Sequence, residues 1–154
     1  MRRSLRYMAI GLVVFVAALA AAQLIRPERT NPATDPSRTI RAHPGTTHEF
    51  AAILDRACRD CHSNETRWPA YTEVAPLSWL AVYGVNEARG VLNFSEWAGY
   101  SAEQQRGLLA ASCEDVSSGK MPGGFYTFLY PEARLSAQGI STICTAARQS
   151  QAQR

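Results

Sequence analysis

An apolar segment near the N-terminus limits the folds open to this chain more than any other feature. Residues 7–25 read YMAIGLVVFVAALAAAQLI and follow Arg2, Arg3 and Arg6. At a rise of about 1.5 Å per residue, a helix of this length spans about 28 Å, close to the hydrocarbon thickness of a bilayer. Positively charged flanks tend to remain in the cytoplasm, so we expect the rest of the chain to be exported.

Two interpretations of residues 1–25 stay open. The apolar run is longer than the core of about 7 to 15 residues in a signal peptide, which favours a single-pass anchor in the cytoplasmic membrane. Ala20, Ala21 and Ala22 nevertheless supply the small residues that a signal peptidase requires before Gln23. Both interpretations place the remaining chain outside the cytoplasm.

The charge of the remaining chain argues against one class of partner. Of the 16 basic residues, 3 precede the apolar segment, which leaves 13 against 13 acidic residues. Lys120 is the only lysine. A nucleic-acid-binding surface needs a dense basic patch to displace counterions from phosphates, so we expect no nucleic-acid partner.

The sequence after the apolar segment divides into a linker, a domain and a tail. Residues 26–45 contain four prolines and few apolar residues, which indicates an extended linker. Residues 46–148 form the predicted domain, and the polar residues 149–154 are expected to fray. No stretch of this domain alternates apolar and polar residues over several positions, so the predicted fold class is all-α.

Four helices are predicted from caps and helical spacing. Thr46 or Thr47 begins the first, Ser101 begins a capping box, and Ser136 begins the last. A further helix is predicted over residues 77–91. The residues expected to face a core are Phe50, Ile53, Leu54, Ala57, Cys58 and Cys61 in the first helix, Trp79, Leu80 and Tyr83 in the second, Leu108, Leu109, Ser112, Cys113 and Val116 in the third, and Ile140, Ile143, Cys144 and Ala147 in the last.

The pentapeptide Cys58, Arg59, Asp60, Cys61, His62 carries the strongest chemical signal. Its C-x-x-C-H pattern is the attachment motif of c-type haem. Two thiols one helical turn apart can bind the two vinyl groups of one haem, and the adjacent imidazole can bind the iron. We therefore predict one covalent haem c, with Cys58 and Cys61 as thioethers and His62 as proximal iron ligand.

Two other uses of these cysteines were considered. A redox dithiol of the thioredoxin kind needs a βαβ setting that the predicted helices do not provide. Zinc could bind Cys58 and Cys61 together with Cys113 and Cys144, although the latter two are 31 residues apart rather than in a close-spaced pair. A non-haem thiol or zinc protein is therefore kept as an alternative.

The second axial ligand decides between electron transfer and chemistry at an open iron. Met121 is the one methionine after the apolar segment, and its loop of glycines and Pro122 could bring sulfur to the far side of a haem. Met121 could instead fill a gap in the core. His43 and His48 are the other candidates, and each has the setting of a surface histidine.

Cys113 and Cys144 are expected to form a structural disulfide. Both lie on predicted apolar helix faces, and in an exported protein two remaining cysteines usually pair. Two free buried thiols are the alternative. Arg67 and Arg89 could pair with haem propionates or simply be solvated charges.

The chain resembles the bacterial haem-binding domain family of small membrane-anchored or exported proteins, which are related to class I cytochromes c in the way they ligate haem iron. The residues that carry the resemblance are Ile25 to Pro27, Cys58 to Pro69, Ala75 to Trp79, Leu92 to Trp97, Gly119 to Pro122 and Pro131 to Ser136. The resemblance implies covalent haem in the periplasm and no defined reaction. Family members often have histidine where this chain has Tyr83 and Tyr130, which favours Met121 or leaves the iron five-coordinate.

These observations predict a cytochrome c-like electron carrier rather than an enzyme. His62 is the expected proximal ligand and Met121 the expected distal one, and electrons would pass to and from another redox protein. A haem-based sensor or a peroxidase-like enzyme with an open distal position is the main alternative.

Overall fold

The computed structural model describes residues 2–152 and contains no strand within that range, which confirms the all-α prediction. Its α-helices are α1 (Arg2–Ala22), α2 (His48–Ala57), α3 (Arg59–His62), α4 (Leu77–Val91), α5 (Ala102–Ser117), α6 (Gly124–Leu129) and α7 (Ala137–Ala152). Short 3-10 turns lie at Pro36–Arg38, Ile40–Ala42, Ala70–Glu73, Phe94–Gly99 and Pro131–Ala133.

The described chain forms two compact units. The first, called the anchor unit, contains residues 2–30 and 68–84. The second, called the motif unit, contains residues 31–67 and 85–152 and includes C-x-x-C-H.

The anchor unit begins with α1, which is long and apolar enough to cross a membrane. None of its residues is buried, so it is not the core helix of a folded domain. The N-terminal segment is thus an apolar helix of the kind used as a signal sequence or an anchor. After it, residues 23–29 hydrogen-bond to residues 72–79 of the same unit.

The core of the motif unit forms between α2, α5, α7 and the turn at Phe94–Gly99. Its buried apolar residues are Ile40, Phe50, Ile53, Leu54, Leu92, Phe94, Trp97, Leu109, Val116, Ile143 and Ala147. The inward faces predicted for the first, third and last helices are therefore confirmed in their main residues.

The predicted helix starts in this unit are also confirmed. The Thr47 side chain caps α2 by accepting a hydrogen bond from Phe50 N at 3.1 Å. Ser101 and Gln104 form the expected capping box at the start of α5. Ser136 Oγ accepts from Gly139 N at the start of α7. These side chains satisfy N–H groups that have no partner inside the helix, which is why they mark helix starts in a sequence.

A disulfide between Cys113 and Cys144 joins α5 to α7, with their Cα atoms 4.8 Å apart. The predicted pairing is confirmed. It contradicts the alternative of two free thiols, and it also removes both cysteines from a four-cysteine zinc site.

The helix predicted to carry both motif cysteines is divided in two. Cys58 has φ −127° and ψ −33°, so α2 ends at Ala57 and α3 starts after the break. The Cys58 carbonyl accepts hydrogen bonds from the N–H groups of both Cys61 and His62. Because the three- and four-residue apolar spacing continues through Cys58, the sequence pattern could not reveal the break.

The inward face predicted for α4 is wrong. Trp79, Leu80 and Tyr83 are exposed, whereas the smaller Val82 and Val85 are buried. The prediction chose the largest apolar side chains, but α4 buries small ones.

The structure adds detail to the segment predicted as an extended linker and to the predicted tail. Ile40, inside the predicted linker, is buried in the core of the motif unit. At the C-terminus α7 continues to Ala152, and the last two residues of the predicted tail lie outside the described residues.

Candidate functional site

Cys58 is the residue directly before α3, and Cys61 is the third residue of this four-residue helix. Both are free thiols. Cys58 packs against the core, and burial raises its pKa to about 12. Burial also raises the pKa of Cys61, and the neighbouring Asp60 carboxylate adds to that effect. Both side chains are therefore neutral S–H groups at neutral pH, close together and not joined to each other.

Two backbone carbonyls near the end of α4 hold the His62 imidazole. Its Nδ1 lies 3.0 Å from the Leu92 carbonyl oxygen, and the Ala88 carbonyl is a second backbone hydrogen-bond partner of the ring. A carbonyl can only accept, so Nδ1 carries a proton. The ring packs against Phe94 with centroids 5.9 Å apart, and burial lowers the pKa of His62. The side chain is thus a neutral imidazole of fixed orientation.

The Leu92 carbonyl is itself positioned by a hydrogen-bond network. The next residue, Asn93, donates its backbone N–H to Tyr100 Oη at 2.9 Å and its Nδ2 to Asn64 Oδ1 at 2.8 Å. Ser95 N donates to Asn93 Oδ1, and Ser95 Oγ accepts from Asn64 N, both at 3.0 Å. The segment after α4 is therefore tied to the segment after His62, which fixes the acceptor of the imidazole N–H.

The carboxylate of Asp60, which lies between the two cysteines, accepts hydrogen bonds from two residues although it is buried. Arg67 donates Nε and Nη2 to its carboxylate, with Nη2 2.8 Å from Oδ2, and Tyr126 Oη donates to Oδ2 at 3.0 Å. Burial alone would raise the pKa of Asp60, but the hydrogen bonds from Arg67 and Tyr126 outweigh it and the pKa lies below its ordinary value. Asp60 is therefore an anion that links the motif to α6.

The two candidate propionate partners have other contacts. Arg67 forms the ion pair with Asp60. Arg89 donates to the Ser63 carbonyl and to Thr66 Oγ1, each at 2.7 Å. Both arginines therefore hold the loop that follows the motif, and neither is the free surface charge that was considered as an alternative.

Met121 lies in a loop after α5 with its side chain 40% exposed. Its N–H donates to the Asp115 carbonyl at 3.1 Å, and the preceding Gly119 has φ +73°. Burial lowers the pKa of His62, and the Asp115 carboxylate acts in the opposite direction. The charge of Asp115 therefore lies within electrostatic range of the imidazole. These contacts leave the Met121 ligand role a prediction.

The other candidate ligands have different surroundings. His43 packs edge-on against Trp97, with ring centroids 6.2 Å apart, and its Nδ1 accepts from Gly45 N. His48 is exposed in the first turn of α2. Tyr130 packs against Tyr126 at 4.9 Å. None of these contacts points to iron ligation.

Sequence reasoning missed the residues that support His62 and the cysteines. Asp60 was counted only as a spacer of the motif, and Asn64, Asn93 and Ser95 were given no role. A charged residue beside two inward-facing cysteines is the signal that could have identified Asp60. The Asn93 to Ser95 contact is a local side-chain turn, which the residue types alone can suggest.

The residues present fit a haem better than a bare metal ion. Across residues 2–152 no group of three or more His, Cys, Asp or Glu side chains could hold a metal. A haem needs less from the protein, because its ring supplies four of the ligands and its vinyl groups take the thiols.

Sequence comparison agrees with this geometry. A family model described as a haem-binding domain matches residues 17–149, which is most of the chain. No curated protein and no solved structure matches significantly.

Proposed function

The chain belongs to the haem-binding domain family, and from that premise we propose that it carries one covalent haem c and transfers single electrons on the exported side of the cytoplasmic membrane. Cys58 and Cys61 form the thioethers, His62 is the proximal ligand and Met121 the distal ligand. The observation that carries the proposal is the pair of free thiols beside an imidazole whose orientation the Leu92 carbonyl holds through Nδ1.

The thiols suit covalent attachment. Each S–H adds across one vinyl double bond, so that sulfur bonds to one carbon, hydrogen goes to the other and nothing is released. Cys58 and Cys61 are neutral thiols with no disulfide between them, which keeps both available for this addition.

The side chains around the haem set its electron-transfer properties. When bound, the haem supplies a one-electron iron couple. His62 gives a neutral nitrogen whose orientation the Leu92 carbonyl maintains, and Phe94 excludes water from one edge of the imidazole. A thioether from Met121 favours the reduced state more than a second imidazole does. The electron comes from a reduced partner protein and passes to an oxidised one, which makes the protein a carrier rather than an enzyme.

Residues 1–25 keep the protein in the membrane as an uncleaved anchor in this proposal. Support comes from the length of α1, whose apolar run exceeds the core of a signal peptide. The motif unit then lies in the periplasm, where haem attachment takes place.

Covalent attachment is tested by a haem stain after denaturing electrophoresis. The full chain is produced in a bacterium with cytochrome c maturation, beside a Cys58→Ala/Cys61→Ala variant. We expect a stained band from the first and none from the second. A Cys113→Ala/Cys144→Ala variant is the control, because it removes the same number of cysteines, leaves the C-x-x-C-H pair intact and should keep the stain. An unstained wild-type protein would overturn the proposal in favour of a non-haem thiol protein.

Axial ligation is tested by the visible spectrum of the purified protein. We expect low-spin iron in both oxidation states, and loss of the Met–iron charge-transfer band in Met121→Ala but not in the neighbouring Lys120→Ala. A high-spin wild-type spectrum would instead indicate an open distal position, as in a haem-based sensor or a peroxidase-like enzyme.

A further inference from the structure

The anchor unit exposes several large apolar side chains beyond α1. They are here called the interfacial face and comprise Leu24, Ile25, Val74, Leu77, Trp79, Leu80 and Tyr83, with exposed fractions between 37% and 86%. A soluble protein exposes single apolar residues routinely, but a contiguous group in one compact unit indicates a partner.

Hydrogen bonds hold this face at the end of α1. The Gln23 side chain, directly after α1, donates to the Ala75 carbonyl at 3.2 Å and accepts from Ala75 N at 3.0 Å. Trp79 Nε1 donates to the Ile25 carbonyl at 2.8 Å. The start of α4 is therefore within hydrogen-bond distance of the first residues after the apolar helix.

A further contact extends the attachment along the chain. Arg29 forms an ion pair with Glu73 and donates to Thr72 Oγ1 at 3.3 Å. Residues 23–29 thus run beside residues 72–79. The charges of Arg29 and Glu73 neutralise each other in the ion pair. The apolar side chains remain as the exposed surface.

Bilayer dimensions then place the face. The 21 residues of α1 extend about 31 Å, and the apolar residues 7–22 that follow Arg6 extend about 24 Å, so α1 ends near the edge of a hydrocarbon core of about 30 Å. The headgroup layer beyond it is roughly 5 to 7 Å thick on each side. Groups that hydrogen-bond directly to Gln23 and Ile25 fall within this layer. Trp and Tyr favour that depth, because an apolar ring and a polar N–H or O–H are both accommodated there.

We propose that the interfacial face lies in the headgroup layer of the bilayer that α1 spans, so that the start of α4 is a second membrane contact. The inference rests on the uncleaved anchor of the proposed function. Lipid is the occupant because the face is continuous with the membrane-spanning helix. A second copy or another protein would have to displace lipid from a position that the chain itself fixes.

Site-specific photo-crosslinking in lipid nanodiscs tests the proposal on the full chain. Leu80 and Tyr83 are each replaced by benzoylphenylalanine, and since both are about two-thirds exposed the fold should tolerate the change. Under ultraviolet light we expect lipid adducts at both positions by mass spectrometry. Phe15→benzoylphenylalanine in α1 is the positive control. Ala110→benzoylphenylalanine, at an exposed position of α5, gives the background yield of lipid adducts for a residue outside the interfacial face.

Each other outcome has a definite meaning. An intact chain without lipid adducts at Leu80 and Tyr83 overturns the inference, as does a crosslinked dimer or an adduct to another protein in native membranes. A mature chain that begins after Ala22 overturns the anchor and the inference together. The haem stain on the same sample reports separately on the haem proposal.

A charged double variant gives an independent check. Leu80→Glu/Tyr83→Glu places two carboxylates on the face, which disfavours the headgroup layer. With benzoylphenylalanine at Val74, we expect the lipid adduct to fall several-fold while the haem spectrum is unchanged. An unchanged adduct yield would contradict the role of this face.

Discussion

The C-x-x-C-H segment and the Met121 loop belong to the same unit, yet they are held in very different ways. In the first, Asp60, Asn64 and Thr66 are buried polar residues, and each is hydrogen-bonded. In the second, Met121 is exposed and the following helix α6 has no buried residue. The protein alone therefore fixes His62, the proposed proximal ligand, whereas Met121, the proposed distal ligand, lies on an exposed loop.

The largest effect is expected from removing the disulfide that holds the helix leading into this loop. Cys113→Ala/Cys144→Ala opens a link between residues 31 apart and should lower the free energy of unfolding by about 3 to 4 kcal/mol. Urea denaturation measures the loss. A decrease below about 1 kcal/mol would show that packing between α5 and α7 alone keeps this part of the unit folded.

An ion pair from each region offers a direct comparison. Arg67→Ala leaves the buried Asp60 carboxylate without its main partner and should lower the free energy of unfolding by about 2 to 3 kcal/mol. This figure already allows for solvent screening, because the Arg67 side chain is largely exposed. Lys120→Ala breaks the exposed pair with Asp115 in the Met121 loop and should cost less than about 1 kcal/mol. Equal losses in thermal or urea unfolding would contradict the difference between the regions.

Tyr126→Phe cuts the hydrogen bond that joins the two regions. Loss of a bond to the charged Asp60 should cost about 1.5 to 2 kcal/mol. If this bond holds α6 and the adjoining loop near the motif, the Met–iron charge-transfer band should weaken, while the haem stain stays intact. Tyr130→Phe is the matched control, because Tyr130 only packs against Tyr126. A band that is equally strong in both variants would show that the loop is positioned without Tyr126.

The smallest effect is expected at Gly119, whose φ of +73° lies in the left-handed region. A Cβ at position 119 meets no neighbouring atom. Gly119→Ala should therefore lower the free energy of unfolding by about 1 kcal/mol through the left-handed backbone conformation alone. Gly107→Ala, inside α5 and equally unobstructed, should instead stabilise by about 0.5 to 1 kcal/mol. Differential scanning calorimetry compares the two, and a destabilised Gly107→Ala variant would contradict the argument.

Most of the fold could be predicted from local signals. Thr47, Ser101 and Ser136 start helices because a side-chain oxygen satisfies an N–H that the helix leaves unpaired, and this depends on residues only three positions apart. The disulfide followed from the compartment and from the inward helix faces.

What sequence reasoning missed depends on contacts between distant parts of the chain. The acceptor of the His62 N–H is the backbone carbonyl oxygen of Leu92, 30 residues away. A backbone oxygen does not depend on the residue type, so the sequence gives no sign of this contact. The outward position of Trp79 and Tyr83 was missed for a related reason, because hydrophobicity identifies a side chain that avoids water but not the surface that covers it. Buried polar residues such as Asn64 were missed because polar character alone predicts exposure.

The disulfide between α5 and α7 has a consequence for the biogenesis of the protein. Under the proposed covalent attachment, Cys113 and Cys144 are oxidised while Cys58 and Cys61 stay reduced until both have reacted with haem, and an exported chain does both in one oxidising compartment. Because thiolate attack on a disulfide exchanges partners, a chain that is oxidised before haem attachment can trap Cys58 or Cys61 in the wrong bridge. Under that proposal the order of thiol oxidation and haem delivery controls the yield of mature protein, and a host that does not keep Cys58 and Cys61 reduced before attachment should accumulate mispaired chains.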